Sequence, residues 1–441
     1  MTSWRLLGSL AATEELADLF SDRSVLAAFL QFESALSRAQ ASLGLIPASA
    51  ADAIARAAVV DGFDVEAIAR AARVSASIAI PLVKALSARV AAGDEVAGRF
   101  VHWGATSQDA VDTVMSLLLD RAKVILARDH ACLSQSLRAL SGEHAGTVML
   151  GRTVLQPAPP ITFGYKAAGW YGSVHRSWRR LSASLRDAAT LQLGGAAGTL
   201  AAYGQQGTTL AVALGKELNV SLANAPWHAH RDRIAALVTD CGIYTAALGK
   251  IARDVSLLMQ HEVGEVAEAG GGSSTMPNKR NPAASVLALA AATRMPGLVA
   301  AFLAGMVQEH ERAAGGWQAE WPIVAGAIET TGSALAAIAG AIEGLTVYPE
   351  RMRANLEATH GVIFAEKVRM LVQPGIGREA VEHLLAEAAR EALETARPFR
   401  EILLSRPEIA SLLSAEQTDS IDRFEDYLGV AEEFRRKLLE D

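Results

Sequence analysis

The sequence predicts an all-α protein of three helical domains, with long helices bundled in the central one. Apolar residues recur at spacings of three and four over stretches much longer than any strand. Ala is abundant and β-branched runs are few, which favours helix. Gly and Pro gather at a limited set of breaks between those stretches.

In chain order, one long helix is predicted from Asp109 to Gly142 and another from Gly164 to Ala188. The next is the clearest. Ile234, Val238, Cys241, Tyr244, Leu248, Ile251, Val255 and Leu258 form one apolar stripe, roughly seven turns long at 3.6 residues per turn. Helices of that length are common in bundles, where other helices cover the stripe. A fourth is predicted to begin at Pro282, with Asn281 as N-cap and Pro282 in the first turn. Breaks fall at Gly93-Asp94, Gly142, Gln156 to Pro160, Gly194 to Gly207, Gly270 to Pro282, Gly315-Gly316 and Pro349. The stretch LQLGGAAGTLAAYGQQG is too glycine-rich to stay helical and reads as an irregular connection. From Gly361 shorter amphipathic helices follow, punctuated by Pro374, Gly377, Pro398 and Pro407. The expected domains are an N-terminal helical domain over 1–108, a central helical bundle over 109–355 and a C-terminal helical domain over 356–441.

Composition narrows the function. The 441 residues are 51% hydrophobic and 20% charged, which excludes bulk disorder and allows a large core. A net charge of −7 with no long basic block argues against a nucleic-acid partner. It leaves room for an anionic substrate, because a local pocket of Lys and Arg can sit on an acidic surface. Cys132 and Cys241 stand in no metal-binding spacing and read as buried free thiols. The N-terminal MTSWRLLGSLAATEE lacks a basic region followed by a sustained apolar stretch, so no signal peptide is expected. The most apolar segment, Val286 to Val307, is interrupted by Arg294 and Pro296. Neither half reaches the roughly 20 residues of a bilayer span. The expectation is a soluble, cytoplasmic protein without a membrane partner.

The segment richest in chemistry is Gly270 to Pro282, GGGSSTMPNKRNP. Glycines allow backbone N–H groups to approach a ligand closely, and an anion is the natural partner for such a loop. Ser273 or Ser274 adds a hydroxyl and Lys279 a charge. A plain Gly/Ser linker is the alternative. A phosphate-binding P-loop is not, because Lys279 lies between Asn278 and Arg280 rather than before Ser or Thr.

Taken whole, GSSTMPNKRNP resembles the signature GSSxMPxKxNP of the fumarase/aspartase superfamily at every specified position. The resemblance implies Ser273 as the residue that transfers a proton at carbon, with Lys279 and Asn281 binding substrate carboxylates. HWGATSQD, His102 to Asp109, resembles the first shared region of the superfamily. There Thr106 and Ser107 would bond a carboxylate. His102 reads either as orienting Ser107 or the substrate or, equally, as a packed polar residue. Without the resemblance, Ser107 reads as a helix N-cap. GRTVLQPAPPITFG, Gly151 to Gly164, resembles the second shared region, placing Thr153 and Gln156 at the substrate. Similar text at FSD, at FESALSRAQASLGLIP and at NLEATHGVIFAE extends the likeness over almost the whole chain.

The second region departs from the common pattern. Val154 stands where many members carry a His that protonates the leaving group, and valine transfers no proton. A departing amine needs such an acid. A carboxylate, with a conjugate-acid pKa of about 4, does not. Val154 therefore implies the lactone-forming branch of the superfamily, in which one carboxylate of 3-carboxy-cis,cis-muconate adds across a double bond. QEHERAAGGWQAEWP, Gln308 to Pro322, resembles the same branch. Arg312 suits a polycarboxylate through its bidentate fork. Its alternative is a pairing with Glu309 on a solvated helix face. An adenylosuccinate lyase, another lyase of the superfamily and a non-catalytic structural relative are the competing readings. His228 and His230 form an HxH pair with no further ligands nearby, and His261-Glu262 lacks the second His of a zincin helix, so no metal is expected. The resemblance implies no cofactor, a small polycarboxylate substrate and a homotetramer with shared active sites.

Overall fold

The computed structural model describes residues 8–272, 276 and 279–440. Helix takes 69% of the chain and strand 5%, so the all-α class holds. The five longest helices among the described residues are Ser107–Glu143, Phe163–Ala188, Asp232–Leu258, Ala283–Gly305 and Gly316–Glu343. Two compact units result. The first comprises Met1–Ala131, Ser177–Gly249 and Leu287–Ala337, and the second Cys132–Arg176, Lys250–Val286 and Ile338–Asp441.

The core of the first unit starts from the helix Asp22–Ser42. Ser21 caps it by accepting from the Ser24 N–H. Leu26, Phe29, Leu30, Phe32 and Leu36 follow at helical spacing and are all nearly inaccessible. Each such side chain contributes about 1.5–3 kcal/mol by leaving water. Ile54, Leu82, Leu86, Leu118, Leu210 and Leu214 belong to the same cluster. Glu33 and Gln40 lie on the same helix and are just as buried. Polar groups are costly there unless bonded.

The stripe from Ile234 to Leu258 is buried at all eight positions, within a helix of the predicted extent. It is covered within the chain, so it makes no demand for a second subunit. Ala283–Gly305 runs as one helix through Pro296, where the sequence reads as two interrupted halves. Proline removes one helical hydrogen bond and clashes with the preceding turn, yet here the helix continues. Only 22% of its most apolar window is buried, and Val286 and Leu303 are open to solvent. By length and apolarity it could cross a bilayer, as could Asp232–Leu258 and Gly316–Glu343, whose windows are 56% and 50% buried.

In the second unit the break foreseen near Gln156 to Pro160 is an antiparallel hairpin, β1 (Val148–Thr153) and β2 (Gln156–Thr162). Farther along, Val368, Val372, Val381, Leu385, Phe399 and Ile402 form the core of its C-terminal helices. The cysteines differ from expectation in one respect: Cys241 is buried, its thiol pushed up to about 12 by desolvation, whereas Cys132 is exposed.

Candidate active site

The first shared segment is pinned from both sides before its helix begins. The Trp103 carbonyl accepts from Gln40 Nε2 at 2.7 Å and from the Tyr203 hydroxyl at 2.5 Å. His102 sits at φ 59° and its Nδ1 meets Glu33 Oε1 at 2.6 Å. Burial opposes a charged imidazole. The charge and hydrogen bond of Glu33, with the charge of Asp109, outweigh it, so His102 is held above its ordinary pKa.

Asp109, fully buried on the first turn of Ser107–Glu143, holds two distant segments of the chain against this one. Its Oδ2 accepts from the Thr106 N–H at 3.0 Å and the Gly195 N–H at 2.9 Å. Its Oδ1 accepts from the Gly194 N–H at 2.9 Å and from His228 Nε2 at 2.7 Å. All four lone-pair directions are met. This explains the glycines of the irregular connection: a Cβ on Gly194 would lie 2.7 Å from His228 and Pro226, and Gly195 has φ +67°. It also gives His228, half of the HxH pair, a structural partner.

Thr106 and Ser107 meet Arg312. The guanidinium donates from Nη1 to Thr106 Oγ1 at 2.7 Å, from Nη2 to Ser107 Oγ at 3.0 Å and from Nε to Gln108 Oε1 at 3.3 Å. Arg312 lies on a loop, not a helix, and Glu309 instead accepts from the Ala314 N–H, so the solvated-face pairing is replaced. With Arg312 on their lone pairs, both hydroxyl protons are free to point at a ligand oxygen. Ser107, Gln108 and Arg312 line a cavity of about 240 Å³ together with Ser75, Ser77 and Trp317.

Trp317 and Gln108, which line the cavity, are bonded to an ion cluster. Arg231 forks onto Asp112 at 2.8 and 3.1 Å and onto Glu320 at 2.7 and 3.0 Å. Asp112 also accepts from Trp317 Nε1 at 2.9 Å, and Glu320 from Gln308 Nε2 at 2.6 Å. Two carboxylates share one cation. Burial first, and the nearby Asp112 charge, raise the pKa of Glu320 despite the opposing pull of Arg231.

Thr153, Gln156, Lys279 and Asn281 belong to the second unit. Thr153 and Gln156 are exposed and pair across the end of the hairpin. Arg152, one pair back from the turn, anchors this end with a bidentate pair to the buried Glu265 at 2.7 and 2.9 Å, and Asn355 adds a third bond to that carboxylate. The turn itself is Val154-Leu155, at φ 51° and 65° and 94% and 75% exposed. Two-residue turns of this hand favour Asn-Gly, and each bulky residue there costs roughly 1–2 kcal/mol.

Ser273, with its neighbour Ser274, lies outside the described residues. The frame of its segment is visible: Gly272 bridges Arg280, and the Asn281 N–H donates to the Gly271 carbonyl at 2.8 Å. Lys279 is exposed and Asn281 half-buried. The following helix is capped by Glu268, not Asn281. The buried Glu268 carboxylate accepts from the Ala284 and Ser285 N–H groups, both at 3.0 Å, and from the Ser285 hydroxyl.

His102, Thr106, Ser107 and Arg312 are thus gathered in the first unit. Sequence reasoning missed Glu33, Gln108, Asp109, Asp112, Arg231 and Glu320. Most stood inside recognisable motifs: Gln108 and Asp109 in HWGATSQD, Glu320 in the Trp-rich segment, Glu33 in FESALSRAQ.

This bundle of long helices, with its shared segments, is that of a lyase family. A family model described as "Lyase" matches residues 9–297, and one described as "Adenylosuccinate lyase C-terminus" matches residues 361–438. The chain belongs to the fumarase/aspartase superfamily. It is 44% identical over 439 residues to a 3-carboxy-cis,cis-muconate cycloisomerase of Bradyrhizobium diazoefficiens, covering 99% of this chain and 97% of that protein. A nitrosuccinate lyase of Streptomyces davaonensis is 40% identical over 438 residues, covering 97% and 92%. Among solved structures, the 3-carboxy-cis,cis-muconate lactonizing enzyme from Pseudomonas putida matches with a TM-score of 0.92 at 40% identity, covering 99% of this chain and 98% of that one.

Proposed function

We propose that this enzyme closes a lactone, converting 3-carboxy-cis,cis-muconate to 4-carboxymuconolactone in the cytoplasm without metal or organic cofactor. Arg312, Thr106, Ser107 and His102 hold carboxylates, and Lys279, Asn281, Thr153 and Gln156 hold the remainder of the substrate. One substrate carboxylate oxygen bonds to an alkene carbon. The alkene electron pair moves toward the neighbouring carboxylate as an enediolate, and Ser273 delivers a proton to carbon, so the product is an isomer. Donors placed before the reaction stabilise the developing charge without reorganising.

Val154 carries the choice of reaction, because a carboxylate moves as a stable anion and needs no acid at that position. The same residue favours one second reading. Nitrite also departs as a stable anion, so a nitrosuccinate lyase would tolerate Val154 equally. Parallel assays with EDTA present distinguish them. Turnover of 3-carboxymuconate is expected to exceed that of nitrosuccinate and adenylosuccinate, and faster turnover of either lyase substrate would overturn the assignment.

The enzyme is proposed to work as a homotetramer with shared sites. The open apolar helix Ala283–Gly305 supports this, as does the strained apolar tip Val154-Leu155, which makes little use of its side chains within one chain. Mixing two inactive variants, Thr106→Val and Ser273→Ala, after reversible dissociation should restore some activity. A fully active monomer by light scattering, a requirement for detergent, or no recovery despite verified exchange would sink the model.

A further inference from the structure

Arg312 meets its partners in a way that assigns a role to Gln108. Gln108 is 1% exposed at the start of the Ser107–Glu143 helix. Its amide orientation is fixed by its surroundings. The His228 carbonyl at 2.8 Å and Asp112 Oδ2 at 3.2 Å only accept, so both face Nε2. Oε1 is left for Arg312, which only donates. A guanidinium can bind a carboxylate side-on, through Nε and one Nη, or end-on, through both Nη groups.

We propose that Gln108 is a positioning residue that occupies Arg312 Nε, so that the substrate carboxylate is met end-on beside the Thr106 and Ser107 hydroxyls. Being neutral, Gln108 also separates Arg312 from the Asp112 carboxylate, to which it is bonded on its other side. Asp112 is immobilised by Arg231 and Trp317. Arg231 also holds Glu320, and Glu320 binds Gln308 on the loop that carries Arg312. The loop is therefore tied to one ion cluster at two points, and Gln108 is the tie that reaches the guanidinium.

This inference rests on the carboxylate-binding role proposed for Arg312, and a double-mutant cycle separates the two. The full-length enzyme is titrated calorimetrically with tricarballylate, a saturated tricarboxylate, and assayed with 3-carboxy-cis,cis-muconate. Gln108→Met should weaken the tricarballylate Kd about tenfold and raise KM in parallel, with kcat within about threefold. Arg312→Lys, which lacks Nε, should weaken Kd nearly as much as Arg312→Ala. In the Arg312→Lys background Gln108→Met should add less than about twofold, because its partner is already gone. Additive effects, or a loss confined to kcat, would overturn the role of Gln108 alone. An unchanged Kd in Arg312→Lys, or no binding by the wild type, would overturn both readings. Should Gln108→Met fail to fold, Gln108→Asn keeps an amide but, one methylene shorter, withdraws its carbonyl from Arg312 Nε. It should weaken Kd at least tenfold, and wild-type affinity there would refute the proposal.

Discussion

Replacing Ser273 with alanine is expected to lower kcat roughly a thousandfold while leaving KM within about tenfold. The hydroxyl is proposed to move a proton in the transition state and to contribute little to holding the substrate. Carboxylate binding is assigned to other groups: Arg312 with Thr106 and Ser107, and Lys279 with Asn281. The frame of the signature segment is held by other residues, with Gly272 bridged to Arg280 and Glu268 capping the next helix. Ser274→Ala should be milder in kcat. Steady-state kinetics on both variants, with calorimetric binding of tricarballylate, provide the check. A larger defect in Ser274→Ala, or an affinity loss matching the rate loss, would refute the assignment.

The second large effect is on folding. Arg231→Met should cost about 3–5 kcal/mol, since removing the cation leaves buried Asp112 and Glu320 uncompensated. Its pH dependence identifies the cause. The folded-state pKa of Glu320 is already above the ordinary value through burial, with Arg231 opposing the rise. Without Arg231 it climbs further, so the folded variant binds more protons than the unfolded chain above the unfolded pKa of about 4.3. Stability then falls as pH rises through the folded pKa. Thermal midpoints should lie farther below wild type at pH 8 than at pH 5.5. A deficit independent of pH would mean that lost packing, not uncompensated charge, is the cause.

The long helices were legible because periodicity is a local property. The helix foreseen from Asp109 to Gly142 is Ser107–Glu143, and that foreseen from Gly164 to Ala188 is Phe163–Ala188. The hairpin was not. Pro157, Pro159 and Pro160 read as a break, yet a two-stranded ribbon has only edges, where proline is tolerated. The meeting of Arg312 with Thr106 and Ser107 could be anticipated from a resemblance, not from spacing, because about 205 positions separate them. The ion cluster was illegible for the same reason. Arg231 finds Asp112 119 positions away and Glu320 89 positions away, and no local pattern marks a buried arginine as paired. Asn281 looked like a helix cap on local grounds, but tertiary structure supplied Glu268 instead.

That cap has a bearing on how the superfamily's scaffold could change its ligand. The amino end of Ala283–Gly305 carries about half an elementary positive charge, and the chain's own Glu268 already neutralises it. An anion arriving at the signature segment gains nothing from the backbone of that helix. Recognition there falls to side chains, with Lys279 and Asn281 proposed for the task. A feature built into the main chain is hard to alter without refolding, whereas side chains are exchanged one codon at a time. The location of Glu268 thus leaves ligand choice at this end open to evolutionary drift while the helix stays fixed.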